Sequence, residues 1–260
     1  MQPHLFARSD TSEPCAGEYP SGMPKIHHEW KVLPHGPLTA LGRDLYTVEG
    51  ELKMPLGESR RRMTVVRLRD GRLVIYSAMA LDEPQMAELL ALGKPTYLIV
   101  PSANHRLDIA AWKNRFPDLT VVAPTAARAQ VAKVTPVDVT QVDFGDPRVE
   151  LSVVAGTGEQ EFALMVETET GKTLIVNDLI FNLPELEGAG GVMMRVLGFG
   201  PGHPQMPKLV MLKLIKDKAA VRKQLQSWAE VDGLQRIMVS HGRPIEQPRS
   251  TLLELAQALA

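Results

Sequence analysis

Cysteine occurs once in this chain, at Cys15, which excludes an intrachain disulfide and any cysteine-based zinc cluster. No apolar run approaches the roughly 20 residues that a membrane-spanning helix needs. The N-terminus has no basic stretch followed by an apolar core, so a secretory signal is not expected. These absences together predict a reducing, cytoplasmic setting. Charge of one sign is lacking too: 29 Lys and Arg against 30 Asp and Glu leave a formal charge of −1. That balance offers little to nucleic acid or to an anionic membrane, so a small-molecule substrate or ligand is the expected partner. Nothing in the sequence sets the oligomeric state. Aromatics make up only 5% of the residues, and no Gly-x-Gly-x-x-Gly follows a strand, so a flavin or redox role gains no support.

What is present is enough for folding. With 260 residues, 44% of them hydrophobic, the chain can bury one large α/β core or two small ones. Three segments share a design in which a strongly apolar β-type run ends in a metal-capable side chain. They are Tyr97–Val100, leading through Asn104 to His105, Arg106 and Asp108; Thr173–Val176, leading to Asp178; and Arg236–Val239, leading to His241 and Gly242. Buried strands hold few polar groups without partners, so a His or Asp at each strand exit can meet the others on one rim.

Residues 1–25 mix proline, glycine, serine and scattered charge without periodicity, which predicts a flexible segment, and residues 26–260 then read as one domain. His27 and His28 are expected on the surface. Strands are predicted at Leu45–Val48, Met63–Leu68 and Leu73–Ser77, with Asp70-Gly71 as a two-residue hairpin signal. Arg60-Arg61-Arg62 reads as a solvated strand start. Asp82 and Pro84 open a helix that Gly93 stops. A strand–helix unit follows, with the helix over Ile109–Lys113 ended by Pro117. The region from Val137 to Val176 is β-rich. Residues 183–207 are rich in Gly and Pro and loop-like, and the remainder gives a helix around Ala219–Trp228, the Ile237 strand and a closing helix over Leu252–Leu259. Two β-halves with helices at separated positions predict an α/β four-layer αββα sandwich of two mixed sheets.

Strand-ended His and Asp residues on that plan resemble the metallo-β-lactamase fold superfamily, over about residues 44–245. The nearest likeness is to an uncharacterised branch with an incomplete ligand set. The resemblance implies that Asp178 stands at the bridging-Asp position and His241 at the terminal-His position. In the first motif His105 and Asp108 are three apart, a spacing that fits no ungapped register of His-x-His-x-Asp-His, and Ile109 follows Asp108 where a His is expected. The turn before Phe162 (Ala155–Glu159) contains no His.

The implied chemistry is that of a metal-dependent hydrolase with a reduced, mononuclear site. It would act on an ester, amide, lactone or phosphoester through one divalent metal such as zinc, iron or manganese. His105, Asp108, Asp178 and His241 are the candidate ligands, Asp178 and Asp108 the candidate catalytic acids or bases, and Asn104 and Arg106 the candidate substrate contacts. Glu159, Glu161 and His203 could contribute only through unusual geometry. Leu183, Met193, Met194 and Phe199 are expected to wall the rim. Each residue also has a plainer reading: Asp108 as a helix N-cap, His105 as a turn residue, Asp178 as an acceptor of backbone N–H bonds, and His203 as part of a constrained loop. The alternative for the whole chain is a non-catalytic binding or structural protein that kept the fold and lost the metal.

Overall fold

The computed structural model describes residues 25–54, 57–185, 195, 198–200 and 202–260. The N-terminal segment up to residue 24, with Cys15, lies outside the described residues, as do Met193 and Met194 of the expected wall.

Among the described residues ten strands form two mixed sheets. The first contains β1 (Thr39–Gly42), β2 (Leu45–Met54), β3 (Gly57–Arg67), β4 (Arg72–Tyr76), β5 (Lys94–Ile99) and β6 (Thr120–Val122), in that spatial order. Its first four strands run antiparallel, and β4, β5 and β6 run parallel. The second sheet contains β7 (Val149–Val153), β8 (Phe162–Thr168), β9 (Gly171–Val176) and β10 (Leu234–Val239), ordered β10-β9-β8-β7. Here β9 and β10 are the parallel pair, so both leave the sheet at the same edge.

Helices α1 (Glu83–Leu92) and α2 (Ile109–Arg115) belong to the first half, and the short α3 (Arg128–Val131) follows β6. Helices α4 (Lys208–Leu214), α5 (Lys218–Ala229) and α6 (Pro248–Gln257) belong to the second. Helix α4 was not anticipated from the sequence. Among the described residues no helix is long and apolar enough to cross a membrane.

Side chains alternate across a strand, and this alternation divides the apolar residues into three layers. Leu73, Ile75, Leu98 and Val121 face outward from the first sheet and pack with Met86, Leu89, Ile109 and Trp112 of α1 and α2. Their neighbours Val74, Tyr76, Ile99 and Val122 face the other way, onto Phe162, Leu164, Ile175 and Met238 of the second sheet. Beyond that sheet, Leu174, Val176, Ile237 and Val239 meet Val221, Leu225 and Trp228 of α5 and Leu252 and Leu255 of α6. Three apolar layers make four structural ones, as the αββα expectation required. Trp112 is fully buried yet satisfied, its indole N–H donating to the Met79 carbonyl at 2.9 Å. Replacing it by Ala would cost about 3–5 kcal/mol.

Three local expectations are revised. The hairpin after β3 uses a three-residue connection: the Leu68 N–H donates to the Arg72 carbonyl at 2.8 Å, and Gly71 takes φ +83°. That is the left-handed position such a loop reserves for Gly. Second, β2 and β3 pair from Leu45↔Val66 to Met54↔Gly57, so the arginine run lies inside a long strand. Arg61 and Arg62 are buried rather than solvated, because this sheet is covered on both faces. Third, His27 is tucked in: its backbone N–H donates to the Leu107 carbonyl at 2.8 Å, and its Nδ1 lies 2.8 Å from Asp108. Its neighbour His28 is exposed, as expected.

Candidate functional site

Parallel pairing brings the carboxyl ends of β4, β5, β9 and β10 to one rim. Val176 sits beside Val239 in register, and the Ser240 N–H donates to the Val176 carbonyl at 3.2 Å. The two sheets are tied there by the Phe162 N–H donating to the Pro101 carbonyl at 3.0 Å and by the Tyr76 hydroxyl donating to the Phe162 carbonyl at 2.8 Å.

Asp178 is the hub of this rim. One carboxylate oxygen, Oδ1, lies 3.2 Å from His105 Nε2 and 3.4 Å from His241 Nε2. The other, Oδ2, accepts from the Ser102 hydroxyl at 3.0 Å and from Asn104 Nδ2 at 3.1 Å. Ser102 is itself saturated, accepting from Asn177 Nδ2 at 3.1 Å and from the Asn104 N–H at 3.2 Å. Burial alone would raise the Asp178 carboxyl. The charge and hydrogen bonds of His105, followed by those of His241, outweigh it and hold Asp178 well below the usual carboxylate range.

The outer nitrogens of the two rings are also fixed. His241 Nδ1 lies 3.0 Å from the Arg60 carbonyl. A carbonyl can only accept, so Nδ1 carries a proton and Nε2 is the nitrogen that faces Asp178 Oδ1. At 3.4 Å from a carboxylate oxygen, that nitrogen needs either its own proton or a cation between the two. On His105, Nδ1 meets the Ser77 hydroxyl at 2.7 Å. Ser77 sits in the left-handed region at φ +57°, a strained conformation for a residue with a side chain. The His105 and His241 rings meet edge to face at 5.4 Å, and Phe181 stacks flat on His241 at 4.8 Å. Gly242 next to it has φ +113°, and a Cβ there would fall 2.1 Å from the Asn182 carbonyl oxygen. Glycine is thus required because the two chain exits run against each other.

The donor set fits a single divalent cation. One ligand atom each from His105, Asp178 and His241 lies within 4.8 Å of the others. Four-coordinate zinc with bonds of about 2.0–2.1 Å has ligand atoms about 3.4 Å apart. The 3.2 and 3.4 Å separations sit close to that edge. Imidazole nitrogen and carboxylate oxygen also suit iron and manganese.

The other predicted residues are placed differently. Asp108 stands at the N-cap position of α2, but its side chain makes no cap hydrogen bond. It is fully buried, with Oδ2 bound to Arg61 Nη1 and Oδ1 at 2.8 Å from His27. It therefore lies outside the cluster. Its location follows from charge: a sealed carboxylate needs a cation, and Arg61 supplies one. Arg106 donates to the Gln130 carbonyl at 2.7 Å, and Asn104 is engaged with Asp178. Glu159 and His203 are exposed and outside the cluster.

Glu161 is fully buried behind Asp178, and its Oε1 accepts from the Leu179 N–H at 3.0 Å. Burial, reinforced by the Asp178 charge, pushes its carboxyl well above the usual range. Ser77, Ser102, Asn177 and Phe181 were not singled out from the sequence. Ser77 and Ser102 at the ends of apolar runs were the available signal.

No protein-family model matches the chain, and no curated protein matches it by sequence. Solved structures do match. The metallo-β-lactamase FIM-1 from Pseudomonas aeruginosa, in its mono-zinc form, is 16% identical with a TM-score of 0.56, over 89% of this chain and 98% of that one. A metallo-β-lactamase from Hirschia baltica is 14% identical with a TM-score of 0.57, over 87% and 98%. DIM-1 metallo-β-lactamase is 11% identical with a TM-score of 0.60, over 88% and 100%. At these identities the likeness is one of fold. The chain has the metallo-β-lactamase fold.

Proposed function

We propose that this protein is a metal-dependent hydrolase whose site takes one divalent cation on His105, Asp178 and His241. The observation that carries this reading is the convergence of two imidazole Nε2 atoms on one carboxylate oxygen, at 3.2 and 3.4 Å. The Arg60 carbonyl holds His241 Nδ1, so Nε2 is the ring nitrogen turned inward to the carboxylate. A cation bound there supplies Lewis acidity, lowering the pKa of a bound water and polarising a carbonyl or phosphoryl oxygen of an ester, amide, lactone or phosphoester.

The chain's own residues provide the setting. Ser102 and Asn104 hold Asp178 Oδ2, which keeps Oδ1 turned toward the histidines and leaves one carboxylate oxygen for one ion. That supports a mononuclear site. The Arg60 carbonyl and the Ser77 hydroxyl orient the two rings, the kind of outer hydrogen bond that metal-ligating histidines make. Phe181 and Phe199, in edge contact at 5.7 Å, give the rim an apolar side that sheds water and favours an acyl or aryl group.

A second reading is favoured by one observation. Every nitrogen of the two rings already has an oxygen partner, so protons alone would satisfy the cluster without metal, as a binding or structural protein would need.

The test is zinc uptake by protein prepared without chelator, measured by competition with a chromogenic chelator, followed by a panel of chromogenic esters, lactones, amides and phosphoesters. We expect about one ion per chain, lost in Asp178→Asn, and turnover that requires the ion. Wild-type protein that takes up no zinc, iron or manganese would sink the proposal.

A further inference from the structure

Three successive residues of β3 reach the chain around the site: two of them hold His241, and the third holds the segment that follows His105. The backbone carbonyl of Arg60 accepts from His241 Nδ1 at 3.0 Å. On the helix-covered face of the sheet, the Arg61 guanidinium binds Asp108, three residues after His105. The opposite face, toward the second sheet, carries Arg62. Its Nε donates to the Val239 carbonyl at 3.1 Å and its Nη2 to the Gly242 carbonyl at 3.0 Å. Those carbonyls lie two residues before and one after His241. The remaining Arg62 donors go to Thr47 Oγ1 at 3.2 Å and to Glu49, directly opposite on β2.

An arginine buried to 5% exposure, with donors on both sides of one histidine, is a clamp rather than a solubilising charge. The planar guanidinium spans two carbonyls in fixed directions, which a lysine ammonium cannot reproduce.

We infer that Arg60-Arg61-Arg62 is the positioning frame of the site and that Arg62 is the positioning residue for His241. It fixes the backbone from which the imidazole projects, while the Arg60 carbonyl fixes which ring nitrogen faces Asp178. This rests on the metal-site reading for its consequence, but the clamp itself is a property of the chain without any ion.

The test compares Arg62→Lys with wild type by two measurements. One is zinc affinity by chelator competition. The other is the His241 tautomer in metal-free protein, read from long-range proton–nitrogen correlations. We expect Arg62→Lys to bind zinc about 10–100-fold more weakly, the range seen when the outer groups that orient a ligand are removed, because the backbone carrying His241 loses its two guanidinium bonds. We also expect His241 to lose its single Nδ1–H form.

Should Arg62→Lys fail to fold, Glu49→Gln decides. It frees one end of the guanidinium at a half-exposed position and should weaken zinc binding in the same direction by a smaller factor. Unchanged affinity and an unchanged tautomer in the folded variant overturn the frame, even if its melting point falls. The two readings fail separately. Wild type that takes up no metal, with His241 still disordered by Arg62→Lys, overturns the hydrolase reading and supports the frame. Wild type that binds zinc, with Arg62→Lys indistinguishable from it, overturns the frame alone.

Discussion

Asp108 and Asp178 are both nearly sealed from water and both meet histidine, yet their surroundings differ in the kind of positive charge supplied. Asp108 is held by Arg61, which is always protonated, and His27 adds a contact at 2.8 Å. Among the described residues, the ion partners of Asp178 are His105 and His241, at 3.2 and 3.4 Å. An arginine settles the charge of its carboxylate permanently and shuts out a metal. Histidines settle it only with protons, which a divalent cation can replace. On the proposed reading the two Asp/His clusters thus have opposite uses: the first secures the start of α2 beneath the His105 loop, and the second is open to exchange of protons for a metal.

The comparison can be broken most forcefully at Arg61. Arg61→Met would leave the Asp108 carboxylate buried without its fixed cation and should cost about 3–5 kcal/mol in chemical denaturation. A cost under about 1 kcal/mol would show that Asp108 does not depend on that charge.

The second aspartate should respond to metal instead. At zinc concentrations near 100 times Kd, wild type should gain about 2.7 kcal/mol of stability, and Asp178→Asn should gain none. Thermal melts with and without chelator read this directly.

A third acid, paired like Asp108 with an arginine, sharpens the contrast through pH. The Arg148 side chain, against the opposing effect of burial and with help from backbone N–H groups of Arg69 and Arg148, holds Asp146 at a pKa of about 2. Because the folded value lies below the unfolded one, this stabilisation is complete above pH about 4 and is lost as pH falls through 2. Asp146→Asn should remove at most about 2 kcal/mol at pH 7 and flatten the acid limb of a pH–stability profile.

The smallest effect belongs to His27. His27→Gln removes a partly buried contact but leaves Arg61 in place, so we expect a loss of about 1 kcal/mol and unchanged zinc affinity. A larger loss would mean that the histidine, not the arginine, secures Asp108.

Much of the fold was legible because strand periodicity is local. Leu73 to Tyr76 and Leu174 to Val176 carry inward and outward faces in adjacent residues, and Asp82, Pro84 and Gly93 mark α1 with chemistry that needs no distant partner. Helix α4 was missed because it is only seven residues long and follows a Gly- and Pro-rich stretch. Within the site, His105, Asp178 and His241 were legible as polar ends to apolar strands. Ser102 was less so, since a serine after a strand is common and its role depends on a carboxylate 76 residues away.

The sequence alone determined the layers, the strand exits and the residue types available at the rim, because each follows from the alternation and termination of nearby side chains. Tertiary structure decided which acid would be neutralised. Asp108 and Asp178 each follow a β-type apolar run, but only the folded sheet brings Arg61, 47 residues earlier in the chain, against Asp108. Burial makes that choice consequential, since a carboxylate removed from water must find a positive charge wherever the fold provides one.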